Sequence, residues 1–371
     1  MYLAITVLFF LISSSNQANV RRDIFDNGLG YKSYPISLIS DQDKATKINI
    51  AKNDIAWFST LVSASLLISH DGKNATVKFL NKQNFTSKYN YDGRGMELSD
   101  LKRYNGTTLT VDDKTGIVYR IQGETVIPWV ILADSDGNSE KPFKGEWLAV
   151  KDNVVYCGGY GKEMTLANGT YIDDSPFWVK AISPDGGIRT LNWRENFIKL
   201  RRHLEINFPG YVIHESAQWS NNHQRWFFLP RHMSKLSFTY ENVHTTGANV
   251  LLMATEDFSN ISHVYIGNAN TPRGFSAFQF VPETNDMLIV ALKSVEVPNQ
   301  PLNSFIMVFD VAGNVLMEEM EISGNLKCEG IEFYDAQLGV YPFPEYAAET
   351  STHPSGFGLF TILAATILRY L

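Results

Sequence analysis

One feature recurs along this chain at wide, similar intervals: a serine or glutamate held among apolar residues. It appears in Gly95-Met96-Glu97-Leu98-Ser99, Gly145-Glu146-Trp147-Leu148, Ile213-His214-Glu215-Ser216, Gly274-Phe275-Ser276-Ala277 and Cys328-Glu329-Gly330-Ile331. With Ser99, Glu146, Glu215, Ser276 and Glu329 as markers, the intervals are 47, 69, 61 and 53 residues. Each is the length of a four-stranded blade with its loops, and self-similarity at that period is the signature of a propeller. Most of the segments run on through a strand and a polar turn into a second strand, as Trp147 to Val150, Lys151-Asp152-Asn153 and Val154-Val155-Tyr156 do. The expected fold is therefore all-β, a five-bladed β-propeller with five inner strands around a central channel.

If each inner strand directs its marker at the axis, five oxygen donors converge there. Such a ring suits a hard cation, and calcium takes six to eight oxygen ligands, some of them waters. Zinc would call for His or Cys clusters at short spacing, which the sequence lacks. The plainer reading of any one marker is an ordinary strand-end residue, because acidic side chains are mostly solvated. Three glutamates recurring in the same apolar setting favour the ring.

The rest of the chain bounds the reading. Its 371 residues can fill one large propeller domain, expected from about Ser33 to Tyr334. A formal charge of −7 argues against nucleic acid or an anionic membrane as the main partner. The two cysteines, Cys157 and Cys328, provide no disulfide framework and are read as buried thiols. Residues 1–18 read as a secretory signal: Tyr2 to Ile12 is apolar except for Thr6 and is followed by small polar residues. Five Asn-x-Ser/Thr sequons, at Asn74, Asn84, Asn105, Asn168 and Asn260, agree with export. Residues 335–371 form a polar spacer and a hydrophobic end, Phe357 to Leu368, too short for an ordinary transmembrane helix. That pattern fits a removable lipid-anchor (GPI) signal, with an uncleaved membrane-associated tail or a tail without a role as the alternatives.

Strand-like runs separated by turn signals occupy most of the domain, for example Tyr34 to Asp41, Ala64 to Ser69 and Ala75 to Leu80 around Asp71-Gly72. Leu109 to Val111 and Ile117 to Ile121 flank a turn that carries Asp112 and Asp113. One helix is expected within Trp193 to Ile206, where Phe197, Leu200 and Leu204 recur at helical spacing before Pro209-Gly210. No phosphate-binding Gly-Lys-Ser/Thr loop, nucleophile elbow or zinc signature occurs. His214 is the one histidine beside the marker series, and a lone histidine there is more often structural. Trp147 and Trp219 could stack a base, although tryptophans are more often core. Arg94, Lys144, Lys162 and Arg231 lie close in sequence to the markers and are candidate phosphate-binding cations; lone cations are more often solvated face residues, so these rank below the carboxylates.

A set of longer motifs carries a resemblance. Ile39-Ser40-Asp41-Gln42-Asp43, Gly93-Arg94-Gly95-Met96-Glu97-Leu98-Ser99-Asp100-Leu101, Val111-Asp112-Asp113-Lys114-Thr115-Gly116 and Phe143-Lys144-Gly145-Glu146-Trp147-Leu148-Ala149-Val150-Lys151 are its first half. Ile213-His214-Glu215-Ser216, Trp226-Phe227-Phe228-Leu229-Pro230-Arg231, Gly274-Phe275-Ser276 and Glu329-Gly330-Ile331-Glu332-Phe333 complete it. In this order, from about residue 36 to 334, they resemble the soluble calcium-activated nucleotidases, the apyrases of blood-feeding arthropods, helminths and vertebrates. Lys114 stands where that family usually has Arg, and Gly145 where it has Ala. The resemblance implies a five-bladed propeller with one calcium in the channel, held at the positions of Ser99, Glu146, Glu215, Ser276 and Glu329, the serines through their backbone carbonyls. It also implies catalysis by acidic residues at Asp41 and Asp113, with hydrolysis of nucleoside di- and triphosphates at the terminal phosphate. A different class of function, a non-catalytic propeller that binds nucleotide or a host protein, would need the ring but not the Asp41 and Asp113 pair.

Overall fold

A computed structural model describes residues 25–26, 30–52 and 54–334. They form five antiparallel sheets arranged as the expected five-bladed β-propeller. From inside to outside, blade 2 is Leu98–Tyr104, Thr107–Asp112, Ile117–Gln122 and Thr125–Ile131. Blade 3 is Trp147–Lys151, Val154–Gly158, Trp178–Ile182 and Ile188–Asn192. Blade 4 is Tyr211–Ser220, Arg225–Ser234, Val250–Thr255 and Ile261–Tyr265, and blade 5 is Gly274–Phe280, Leu288–Val295, Asn303–Asp310 and Val315–Ile322.

Blade 1 is composite. Its strands Tyr31–Ser40, Asp54–Ser69 and Ala75–Ser87 come from the start of the domain, and its inner strand, Cys328–Phe333, from the end. Ile36 faces Phe333 and Ser40 faces Cys328 in that pairing. The hydrogen bonds join the first and last segments of the domain within one sheet, which clasps the ring of blades closed.

Apolar residues on both faces of each blade pack against the neighbouring blades, because a propeller blade has no solvent-facing side except at its outer strand. The core accordingly divides into five clusters, one at each blade–blade boundary. The one between blades 3 and 4 holds Trp147, Trp193, Trp219 and Trp226 with Phe228 and Phe258, so Trp147 and Trp219 belong to the core. The inner strands approach closely around the axis. A Cβ at Gly330 would meet the backbone of Asp100 and Leu101 at 2.6 Å.

The helix is Arg194–His203, between blades 3 and 4, with Phe197 and Leu200 buried on its inner face. Several strands are longer than their apolar runs suggest, as in Asp54–Ser69 and Ala75–Ser87. A short hairpin, Met164–Thr165 with Tyr171–Asp173, is an addition that the sequence pattern does not announce. Cys157 and Cys328 are free and buried, and burial pushes the Cys328 thiol up to about 12. All five sequon asparagines are exposed. The signal and the C-terminal tail lie outside the described residues.

Candidate active site

The marker residues reach the channel because the inner strands are bulged. Ladder pairing skips from Leu98 to Leu101, from His214 to Ala217 and from Phe275 to Ala277, leaving Ser99, Glu215 and Ser276 inside the gaps. Glu329 is likewise passed over where Cys328 pairs Ser40 and Gly330 pairs Ile39. Glu146 stands one residue ahead of its strand, its N–H donating to the Gly158 carbonyl at 2.8 Å. A bulge leaves an unpaired residue and re-aims its side chain. The residues two before the marker (Glu97, Lys144, Lys327) join it in one cluster at the mouth. Those three after it (Lys102, Gln218, Gln279, Glu332) form a second layer that bonds across blades.

The mouth cluster is built from paired charges. Lys327 Nζ lies 3.0 Å from Asp41, 3.0 Å from Glu329, 3.5 Å from Asp43 and 3.7 Å from Glu296. Arg231 bridges Glu215, Glu329 at 2.9 Å and Glu296 at 3.3 Å. Lys144 contacts Asp113 and lies 2.6 Å from Glu146. Arg94 holds Glu97 by both oxygens and reaches Asp43 at 3.4 Å. Carboxylate oxygens of Asp41, Glu97 and Asp113 lie within 4.8 Å of one another, so the four ion-pair groups meet at one place.

Local turns deliver the two aspartates differently. Asp41 follows Ser40, and its Oδ1 accepts the Asp43 N–H at 2.6 Å, an Asx turn, while Oδ2 takes the Lys327 ammonium. In the second turn Asp112 does the structural work, accepting N–H bonds from Met96 at 2.8 Å, Lys114 at 3.0 Å and Thr115 at 3.3 Å. Asp113 is left free of turn duty. Its Oδ2 meets Lys144, and its buried Oδ1 has no hydrogen-bond partner.

Charge at the mouth is unbalanced. Eight carboxylates (Asp41, Asp43, Glu97, Asp113, Glu146, Glu215, Glu296, Glu329) face four cations (Arg94, Lys144, Arg231, Lys327), a formal excess of four negative charges. Burial pushes Glu146 up to about 7 despite the neighbouring Lys144, and it pushes Glu97 to about 7 against its Arg94 partner. Burial also holds Glu329 well above the usual carboxylate range. Asp41 goes the other way: burial would raise it, but Lys327 and the Asp43 N–H more than offset that and hold it below the usual range. A buried surplus of carboxylates must take up protons or a cation.

The donors are oxygens. Ser99 Oγ is buried without a partner, and the Ser276 hydroxyl is occupied with the Cys328 carbonyl at 2.7 Å, which leaves the Ser276 carbonyl as the group that residue could offer. His214 is packed between the Phe197 and Phe228 rings, each 5.3 Å away between centroids, and burial pushes it down to about 3. With no soft donor in the set, the ring positions fit a hard divalent cation.

Of the residues singled out from sequence, Asp41, Asp113, Arg94, Lys144, Arg231, Glu146, Glu215 and Glu329 meet in this cluster. Lys162 does not join its ion pairs. Its ammonium donates to the Glu163 carbonyl at 2.6 Å and Thr165 Oγ1 at 3.0 Å and lies over the Phe238 ring at 4.4 Å, and burial lowers it to about 8. Sequence reasoning missed Glu97, Glu296 and Lys327 and gave Asp43 no role. For Lys327 a signal existed, since it precedes Glu329 by two residues as Lys144 precedes Glu146.

Comparison with known proteins shows the family of the chain. The sequence profile described as Apyrase matches residues 42–334, most of the chain. The chain belongs to the apyrase family. Among apyrase relatives, apyrase apy-1 of Caenorhabditis elegans is 41% identical over 325 residues, covering 87% of this chain and 89% of that protein. Soluble calcium-activated nucleotidase 1 of Rattus norvegicus is 43% identical over 301 residues, 81% of this chain and 73% of that protein. An apyrase of Cimex lectularius is 41% identical over 303 residues, 81% and 82% of the two chains.

Proposed function

We propose that this protein is a calcium-dependent apyrase that hydrolyses the terminal phosphate of extracellular nucleoside di- and triphosphates, such as ADP, UDP, GDP and ATP, releasing orthophosphate. Membership of the family makes it an enzyme, a nucleotide phosphohydrolase. The observation that carries the finer reading is the cluster's surplus of carboxylates, with oxygens as its only candidate metal donors, next to a carboxylate whose second oxygen is unpartnered.

Ser99, Glu146, Glu215, Ser276 and Glu329 would hold calcium. When bound, the ion supplies charge neutralisation to phosphate oxygens. Terminal phosphoryl transfer to water needs that negative charge met and a water held in line. Lys144, Arg231 and Lys327 each bond ring carboxylates that the cation would relieve, and their ammonium and guanidinium groups can then turn to the phosphates, joined by Arg94 from its pairs with Glu97 and Asp43. Lys162, outside the ion-pair cluster, is proposed as a peripheral contact to the nucleotide. Asp113 Oδ1 has a free lone pair inside the cluster and Asp41 is kept ionised, so either can orient the water or accept its proton. The exposed sequons and the signal-like N-terminus support a secreted or lipid-anchored glycoprotein.

The test is phosphate release from ADP by the purified protein. Activity with calcium, loss in chelator and recovery on adding calcium back are expected, with magnesium a poor substitute because it demands a stricter octahedron. Full activity in chelator would overturn the calcium assignment.

A further inference from the structure

The segment at residues 158–165, the end of a blade 3 strand and the loop after it, lies behind two ring positions. Glu146 donates its N–H to the Gly158 carbonyl at 2.8 Å, and the indole of Trp147 donates to the Gly159 carbonyl at 3.1 Å. One residue on, the Tyr160 carbonyl accepts the N–H of His214 at 2.9 Å, next to Glu215. The same short segment therefore fixes the backbone beside Glu146 on blade 3 and beside Glu215 on blade 4.

The helix Arg194–His203 holds this loop from outside. Arg201 forms a two-pronged pair with Glu163, Nη1 to Oε2 at 2.7 Å and Nη2 to Oε1 at 3.0 Å, with both side chains buried. Phe197, one turn earlier, lies so close to Gly161 that a Cβ there would meet its ring at 2.5 Å, and Gly161 is in the left-handed conformation at φ +70°. Phe197 also stacks on His214. A buried bidentate pair costs desolvation, so it is weak evidence for stability and better evidence for fixed geometry.

We propose that Arg201 and Glu163 are a positioning pair: through the segment at residues 158–165 they set the separation of Glu146 and Glu215 and thereby the calcium affinity of the ring. Neither residue is part of the ion-pair cluster at the mouth; each side chain is paired with the other. The inference rests on the calcium reading above and adds to it a support lying behind the ligands. Groups that orient metal ligands from behind typically change metal affinity ten- to a hundredfold when removed.

The experiment is calcium titration calorimetry on wild type, Arg201→Lys, Arg201→Met, Glu163→Gln and the exposed control Arg202→Ala, with half-saturating calcium for phosphate release measured in parallel. Arg201→Lys keeps the charge and loses the fork, so it remains informative if Arg201→Met fails to fold. Arg201→Lys and Glu163→Gln are expected to weaken calcium binding about tenfold, while the rate at saturating calcium returns close to wild type and Arg202→Ala stays unchanged. Calcium affinity equal to wild type in variants that melt at lower temperature would overturn the proposal and leave the pair a fold element. If wild type itself bound no calcium, the ring assignment would fall first, which separates the two failures.

Discussion

Two layers of side chains occupy one channel three residues apart, the lower one drawn from four of the five inner strands because blade 3 has Ala149 at that position, and they are opposites. In the mouth layer carboxylates outnumber cations, Ser99 Oγ and Asp113 Oδ1 have no partner, and burial holds two of the ring glutamates above their ordinary range. The lower layer is closed on itself. Lys102 donates to Gln218 and to Gln279 at 3.2 Å, Gln279 donates to Glu332 at 3.3 Å, and Glu332 accepts the N–H groups of Arg103 and Phe333 at 2.8 Å each. A fully satisfied polar layer rigidifies; a layer with surplus charge is ready to bind. One bulge geometry thus yields a binding centre where the side chains leave charge uncompensated and a plug where they compensate it.

The contrast can be broken most decisively at Asp113. Asp113→Asn keeps the shape but cannot accept a proton, and it should lower the rate by about a hundredfold or more with little change in calcium affinity. Asp41→Asn should act alike if both carboxylates serve one water, with the double variant little worse than either. Glu146→Gln should instead weaken calcium binding and regain part of its rate in excess calcium. Rate against calcium concentration for these proteins distinguishes the roles; equal rescue of Asp113→Asn would make Asp113 a ligand.

A second test is pH-dependent stability in chelator. Glu97, Asp112 and Glu146 have folded-state values raised by burial to about 7. A raised carboxyl favours the protonated fold, so its contribution is fully present below the ordinary carboxyl range and is lost as pH rises through about 7. A tenfold gain in proton affinity on folding corresponds to about 1.4 kcal/mol. Chelated protein should therefore lose stability between about pH 4 and pH 7 in denaturant titrations. Calcium should flatten that slope only in part, because Asp112 serves a turn and lies outside the ring. A chelated protein equally stable across that range would contradict the picture of a charge-strained mouth.

The smallest effect is expected from the lower layer. Lys102→Met should cost about 1–3 kcal/mol of stability through unsatisfied partners, with calcium affinity within about twofold of wild type by the same additivity that holds for separate sites. Thermal melts and calcium titration check both, and a large loss of calcium affinity would join the two layers into one site.

Much of this was legible because the markers keep their chemistry at blade-length spacing, so Glu146, Glu215 and Glu329 announce both the blade count and the ring. What is hidden follows from geometry that leaves no local trace. A bulge is a ladder defect, visible only once the partner strand is known, so the layer at Lys102, Gln218, Gln279 and Glu332 could not be foreseen. The Asp112-Asp113 turn shows two carboxylates, but which one binds backbone N–H groups depends on where Met96 and Lys114 point. Lys162 stands apart for a related reason: closeness to the markers in sequence did not bring it into the ion pairs, because its loop turns the ammonium onto Thr165 and Phe238. The C-terminal origin of blade 1's inner strand likewise emerges only from the pairing of Ser40 with Cys328.

That pairing has a consequence for how the molecule is made. Lys327 and Glu329 arrive with the strand that closes the circle, whereas the other four ring positions belong to segments synthesised earlier. A nascent chain stopped anywhere short of residue 328 possesses neither the last of the mouth carboxylates nor the clasp, so it can neither complete the charged cluster nor seal blade 1. Closure and competence are therefore acquired in the same event, and an unfinished or clipped copy carries its own mark of incompleteness.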